Sequence, residues 1–564
     1  MPRWKTSSFL IAGLVAVLGI MVVYPMLTVF YGSFVKEGPL NRDAGFTLDG
    51  YRQAYLNWNT YKILGGTLWL SAVRTILAMG LAVFLAWAIT RTDMPWQRPI
   101  ELAVWVSLFM PLPPLVFAWI ALMSPNGLVN QLIADALHLD KSPLTIFSYG
   151  GIIWVSVLLW TSAVFIIIAP AFKRMDAAFD EAARMSGATG WRAFRDVTLP
   201  LLAPAILGGA TLIFVRLIGS FEIEVFLGLP ARIFVYSTKI YDYLSYTPVR
   251  YPLAMALTTV VQALCLGLAV AQWRTLKSSS YVVVTGRGFS ARRAGLGRWK
   301  YPVLGLVLLY IAVSLVLPFA VLIASSFMKL FGTFRADLAT LDNYRAIIHD
   351  SAIWSSLKNT LLVGAIASTA GTILYALVSY VIVKTSSRAR KLLDLMSWLP
   401  YTVPSMALAL GFLWAFVGLL PLGSVLYGTL LLMVVVSIAR ALPLGVRTMN
   451  GSLIQLSNEL EEASRVHGAS WLATFRRIVV PLVSPALAAT WMIIFLGVWR
   501  ELVTYVLLYV PKSRLVAVTM FEYWQGGRVE TAATIGLVTM LAAIPLAVIA
   551  QKLSSLAEGT ASAA

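Results

Sequence analysis

"EAARMSGATGWRAFRDVTLPLLAPA", from Glu181 to Ala205, returns 281 positions later as "EASRVHGASWLATFRRIVVPLVSPA", from Glu462 to Ala486. The two stretches align without a gap. They agree at Glu181/Glu462, Ala182/Ala463, Arg184/Arg465, Gly187/Gly468, Ala188/Ala469, Phe194/Phe475, Arg195/Arg476, Pro200/Pro481, Leu201/Leu482, Pro204/Pro485 and Ala205/Ala486. Agreement of that density at one fixed offset marks an internal duplication. Each copy begins polar and ends in a proline-punctuated apolar run, so each is a water-exposed loop leading into a hydrophobic segment.

Outward from these loops the chain is greasy. Of its 564 residues 59% are apolar and only 12% are charged, about half the charged share of a soluble domain. Runs of roughly 18 apolar residues are long enough to cross a bilayer. The sequence offers them at 8–34, 63–90, 100–123, 146–171, 200–221 and 251–273, then at 301–327, 356–384, 392–418, 424–446, 481–499 and 530–551. The first run follows Arg3 and Lys5, is too long for a signal peptide and lacks a small-x-small cleavage site, so it reads as a retained helix. The reading is an all-α polytopic membrane protein with about 12 spans in two tandem halves, 1–273 and 301–564, joined by a basic linker at 274–300.

The duplication reaches beyond the loops. "FTLDGYRQAY" at Phe46 answers "ATLDNYRAII" at Ala339, and "GTLWLSAV" at Gly66 answers "NTLLVGAI" at Asn359. In the third spans Pro111 and Pro114 are expected to correspond to Pro400 and Pro404. Six crossings is an even number, so the repeats have parallel topology.

The net charge of +19 could suggest a nucleic-acid partner, but its placement argues against one. Between Ala271 and Lys300 lie Arg274, Lys277, Arg287, Arg292, Arg293, Arg298 and Lys300 with no acid among them, as expected of a loop beside an anionic leaflet. The loops sharing a side with the repeated motif hold 24 Lys and Arg against 16 opposite. That side, with the N terminus, is therefore expected to be cytoplasmic. Cys265 is alone, and His138, His349 and His467 are scattered, so neither a disulfide framework nor a metal site is expected.

Within each repeated loop a short helix is expected over Asp176–Ser186, with Asp180 and Glu181 at pairing distance from Arg184 and with Glu461, Glu462 and Arg465 repeating the triad. Gly187 and Gly468 should end these helices in the left-handed conformation. A second amphipathic turn follows, with Trp191, Phe194 and Val197 on one side and Arg192 and Arg195 on the other. A helix–glycine–helix elbow with a small alanine surface suits docking into a groove on a cytosolic partner. One copy could equally lie on lipid headgroups; recurrence at matched positions favours docking.

Glu-Ala-Ala with a glycine six positions after the Glu resembles the EAA loop of binding-protein-dependent ABC importer permeases, and the resemblance covers essentially the whole chain. It implies that Glu181, Ala182, Ala183 and Gly187, with Glu462, Ala463, Ser464 and Gly468, form coupling helices that sit in clefts of two copies of a cytosolic ATPase subunit. It also implies a periplasmic solute-binding protein and a bacterial inner-membrane location. The second copy departs at Ser464 and His467, which makes the two contacts unequal. Fusion of both halves on one chain is similar to the ferric-iron importer permeases; fused thiamine and phosphonate permeases share it. "GSFEIEVFLGLPARIFVYSTKIY" from Gly219 and "RELVTYVLLY" from Arg500 resemble the iron-type group, so ferric iron is the first expected cargo.

No Gly-Lys dipeptide occurs anywhere in the chain, so no phosphate-cradling loop exists and ATP chemistry belongs to another subunit. Neither a catalytic residue nor a cofactor is expected. An ion-coupled secondary transporter would need acidic or histidine relays deep in its spans, and few are present. Glu222, Glu224, Arg500 and Glu501, just after span five of each half, are the candidates for an outer gate or pathway. Arg74 and Arg440 read as side chains that pair with these charges or snorkel to the interface, and the prolines Pro111, Pro113, Pro114, Pro400 and Pro404 as kinks.

Overall fold

The structure is a computed structural model that describes residues 8–39, 41, 45–139, 142–278, 295–419 and 426–563. The core of the expected linker, 279–294, lies outside the described residues.

Among the described residues ten helices are long and apolar enough to cross a membrane, and twelve if each of two sharply bent pairs is one span. They fall into two matching sets. Trp58–Arg91 and Ser351–Lys384 are both 34 residues long, and Tyr149–Arg174 and Leu430–Gln455 are both 26. Equivalent positions stand 293 residues apart as far as the third span, as for Tyr51 and Tyr344, and 281 apart in the fourth and fifth, as for Tyr149 and Leu430; the short helices after span five begin at Tyr236 and Val516, 280 apart. The larger difference falls between the third and fourth spans, where the first half holds the helix Leu128–Leu137.

Small contacts repeat with the large ones. After the first span of each half the chain makes one isolated antiparallel bridge, Val35 with Phe46 and Met328 with Ala339. The hydroxyl of Tyr51 donates to Ser33 at 2.8 Å, and the Tyr344 and Ser326 hydroxyls stand 2.7 Å apart. Each of these loops is thereby tied back to the end of the span it leaves.

The third spans differ from the expected kinked helix. In the first half Gln97–Phe109 and Leu112–Met123 are separate helices, and in the second Ala389–Thr402 meets Ser405–Val417 at 108°. The break sits at Met110–Pro111 and at Val403–Pro404, all four residues extended. A proline pushes its predecessor out of the helical region and is well placed just before a first turn, whose N–H groups have no helical partner. Pro111 therefore corresponds to Pro404. Pro114 lies opposite Ala407 and Pro400 opposite Ser107, which corrects the pairing expected from sequence.

Among the described residues five π-helical turns, Gly19–Val23, Phe194–Thr198, Ala312–Val316, Trp414–Leu419 and Phe475–Val479, each run up to two residues short of a proline in the sequence: Pro25, Pro200, Pro318, Pro421 and Pro481. Proline lacks the N–H that a helix uses and crowds the carbonyl a turn before it; a wider turn relieves both effects. Prolines do not act alike in the fifth spans, however. Gly190–Ile218 passes as one candidate span, whereas Trp471–Leu482 and Ser484–Arg500 meet at 76°.

The halves interlock. Helix Tyr24–Gly32, from the first span, packs on Ser405–Leu413 of the second half, and Leu317–Ser326 packs on Leu112–Met123 of the first. At the first crossing Thr28 Oγ1 donates to the Gly411 carbonyl at 2.9 Å, and a side chain at Gly411 would collide with the Pro25 carbonyl. Small residues permit such close helix approach, which membrane helices rely on because lipid gives them no hydrophobic driving force.

Candidate functional site

The repeated loops fold as helix, left-handed glycine, helix. Ala177–Met185 and Asn458–Val466 come first, and Gly187 (φ +82°) and Gly468 (φ +77°) follow. The Ala188 N–H donates to the Ala183 carbonyl at 3.0 Å, and Ala469 to Ser464 at 3.1 Å, which closes each helix end with the bond typical of a glycine stop. Open space surrounds both glycines, so the requirement for glycine is one of backbone angle alone. Thr189 and Ser470 then cap the next turns, accepting from the Arg192 and Ala473 N–H groups at 3.4 and 3.3 Å.

The side chains of Asp180, Glu181, Arg184 and Arg465, and with them the expected acid–Arg pairing in both copies, lie outside the described residues. In the second copy the two acids themselves are described. Glu461 turns inward, is buried, and accepts from Tyr380 Oη at 2.7 Å, with Lys384 Nζ 3.7 Å away. Burial of a carboxylate demands such partners, and the neighbouring span supplies them. Glu462 is half-buried beside it. Below each loop a basic residue ending span two holds the carbonyl that precedes the helix: Arg91 donates to Met175 at 2.7 Å and Lys384 to Leu456 at 2.5 Å.

The two departures in the second copy are used within the loop. The Ser464 and Thr474 hydroxyls stand 2.8 Å apart, where the first copy has Ala183 and Ala193. His467 Nδ1 lies 2.8 Å from the Ala463 carbonyl. Ser464 stands out when the two copies are aligned; the signal for its partner is in the same alignment, where Thr474 faces Ala193.

Among the side chains the loops expose are large apolar ones at matched positions. Met185 is 90% exposed and its equivalent Val466 86%. Phe179 and Leu460 are exposed as a matched pair, and so are Trp191 and Leu472. Trp191 and Phe194 share one side of the turn, as expected, with their rings stacked 5.8 Å apart; Phe194 packs inward, 5.9 Å from the ring of Trp87, and Trp191 covers it from outside.

The four candidate gate residues are interior groups rather than rim groups. Glu222, Glu224 and Glu501 are buried, and Arg500 partly so. Glu224 pairs with Arg74 and accepts from Ser220 Oγ at 2.7 Å. Glu501 pairs with Arg440 at 2.7 Å and accepts from the Thr504 hydroxyl, also at 2.7 Å. Arg74 and Arg440 therefore do not snorkel: each finds a carboxylate from the chain just after span five, which offsets the cost of taking an ion from water. Glu222 and Arg500 reach across the halves. Glu222 Oε1 accepts the Leu502 N–H at 3.3 Å, and Arg500 donates to the Leu108 carbonyl. Arg216 covers the Tyr401 ring at 4.2 Å, at the position equivalent to Leu108. Each half thus sends one arginine to the end of the other half's broken third span.

Beside these ion pairs the halves depart from symmetry. Ser156 and Ser437 are equivalent, as are Glu224 and Tyr505. In the first half Ser156 accepts from Arg74 at 3.3 Å; in the second the Ser437 and Tyr505 hydroxyls lie 2.6 Å apart. A phenol has replaced an ion pair.

Comparison with known proteins agrees with the duplication. The profile of the family described as binding-protein-dependent transport system inner membrane component matches residues 78–276 and again 373–555. A ferric transport system permease protein of Actinobacillus pleuropneumoniae is 24% identical over 95% of this chain and 78% of its own length. An inner membrane ABC transporter permease protein of Escherichia coli is 30% identical over 38% of this chain and 74% of its own. The molybdenum transport system permease protein of Escherichia coli is 27% identical over 27% of this chain and 64% of its own.

Proposed function

Since this chain belongs to the binding-protein-dependent transport system inner membrane components and is a fused, multi-pass permease subunit of an ABC importer, we propose that it moves ferric iron inward by alternating access. In this reading ATP binding and hydrolysis on two cytosolic ATPase subunits drive the cycle, and a periplasmic binding protein delivers the cargo. The chain itself binds no nucleotide and carries no cofactor. Residues 1–273 and 301–564 are its two permease halves, 274–300 is a cytoplasmic linker, and the N terminus is cytoplasmic in a bacterial inner membrane.

One observation carries the coupling part of this reading. Two glycine-stopped helices at equivalent positions expose the same apolar sites, Phe179, Met185 and Trp191 in one and Leu460, Val466 and Leu472 in the other. A polar loop that ended in water would not keep large apolar side chains outward twice, whereas a loop filling a protein groove needs them. The name of the Actinobacillus relative and the iron-type loops from Gly219 and Arg500 support ferric iron. The pairing of Glu224 and Glu501 with arginines favours fixed charges over a proton relay, which weighs against an ion-coupled transporter.

The test is reconstitution. The chain, the ATPase subunits and a periplasmic binding protein of the same organism are reconstituted in proteoliposomes, and uptake of radioactive ferric iron is measured. Uptake that needs ATP, binding protein and both Met185 and Val466 is expected. Iron uptake that survives omission of the ATPase subunits would remove the proposal.

A further inference from the structure

We propose that Tyr241 and Phe521 form the constriction that cargo must part at the end of the molecule opposite the coupling helices, an inference that rests on the import reading above. Thr67 and Thr360 are matched positions in span two; the Tyr236 N–H donates to Thr67 Oγ1 at 3.0 Å and the Val516 N–H to Thr360 Oγ1 at 2.9 Å. Tyr236 and Val516 are therefore equivalent, each begins a helix (Tyr236–Leu244 and Val516–Gln525), and five residues on stand Tyr241 and Phe521.

Those two rings touch, edge to face, with centroids 6.1 Å apart at 76°. Equivalent residues of two repeats can meet each other only where the pseudo-twofold axis passes, as in any isologous contact. That axis is the one line bounded equally by both halves, and a path between them follows it. Both helices lie between span five, which starts at the coupling loop, and span six, so the pair closes the far end of the path.

The surroundings suit a seal. Phe226 of the first half meets Trp524 and Phe521 of the second at 4.8 and 5.8 Å, and Phe221 meets Tyr241 at 5.3 Å. Outside the rings the chain is open to solvent at Gln525, whose Nε2 donates to Tyr241 Oη at 3.3 Å. Inside them Glu222 bonds across the halves to Leu502. Packed rings exclude water and any hydrated ion, and an apolar constriction gates by dewetting. They also part without stranding a buried charge, which the ion pairs of Arg74 and Arg440 could not do. The seal is thus assigned to the aromatic pair, and the charged set lies beneath it.

The test uses the assembled transporter in proteoliposomes, with Tyr241→Cys in one preparation and Phe521→Cys in another. The chain's single cysteine, Cys265, is buried and gives a low background. A membrane-impermeant methanethiosulfonate reagent is applied from the binding-protein side, with and without a non-hydrolysable ATP analogue plus binding protein. Labelling of either cysteine should change by about tenfold or more between the two states, as for a site that opens and closes with the cycle. Equal labelling in both states, in whichever variant assembles with normal ATPase activity, overturns the constriction. Labelling needs no cargo, so an error about ferric iron does not change how this result reads. Absence of ATP-dependent uptake for every cargo would instead sink the import reading.

Discussion

Arg74 and Glu224 stand 150 positions apart in the chain and meet as an ion pair that solvent does not reach, with exposures of 1% and 0%. The pair ties span two to the chain after span five, so it fixes the base on which the candidate constriction rests. Removing one partner leaves an unmatched charge in the interior. Arg74→Ala or Glu224→Ala should each destabilise the protein by about 3–5 kcal/mol, whereas Arg74→Met with Glu224→Leu should recover most of that loss. Thermal unfolding in detergent reads both. A double variant no more stable than the singles would show that the pair's charge is not what matters.

Gly187 and Gly468 allow backbone angle to be separated from space. Neither has an atom within 4 Å of where a side chain would begin, and both have a positive φ. Gly187→Ala and Gly468→Ala should each cost about 1–2 kcal/mol of local loop stability through handedness alone. Spans should insert normally, while recovery of the ATPase subunits on the tagged chain should fall. Unchanged recovery in both variants would refute the role of the elbow.

Met185 and Val466 touch little within the chain, so charge placed there should leave the fold alone. Met185→Glu and Val466→Glu are expected to shift the melting temperature very little, a surface substitution being worth within about 0.5 kcal/mol. Co-purification of the ATPase subunits should be lost all the same. A normal complex from the double variant would return the loops to the lipid surface.

Tyr380 seats the second loop at its base through Glu461. Tyr380→Phe removes the hydroxyl and leaves a buried carboxylate oxygen short of a donor, a cost of about 1–3 kcal/mol. Tryptic cleavage at the second loop should speed up, and cleavage at the first should not change. Equal acceleration at both loops would mean that the effect is global.

The spans are legible in the sequence because a bilayer demands long apolar runs, and the glycine stops because a left-handed residue leaves few choices. The offset between repeats is legible too, and it identifies the loops. What stays hidden depends on contacts between residues distant in the chain. Pro111 and Pro404 announce a disturbance, but whether a proline kinks, breaks or turns a helix by 108° depends on what packs against it. For Arg74 the sequence leaves pairing and snorkelling both open, because nothing local names Glu224 as its partner. Trp191 and Phe194 lie on one face of a turn, and only the position of Trp87 decides which ring goes inward.

The exchange of first spans, Tyr24–Gly32 onto the second half and Leu317–Ser326 onto the first, bears on why the halves share one chain. A half made alone would expose a groove shaped for a helix that a second copy of itself could fill, so separate subunits would be free to pair with their own kind. Covalent tethering raises the effective concentration of the correct partner to the millimolar range and suppresses that competition. Once pairing with self no longer has to be guarded against, equivalent positions can specialise separately. The Glu224 and Tyr505 pair, and the alanines opposite Ser464 and Thr474, are the kind of divergence that such freedom permits.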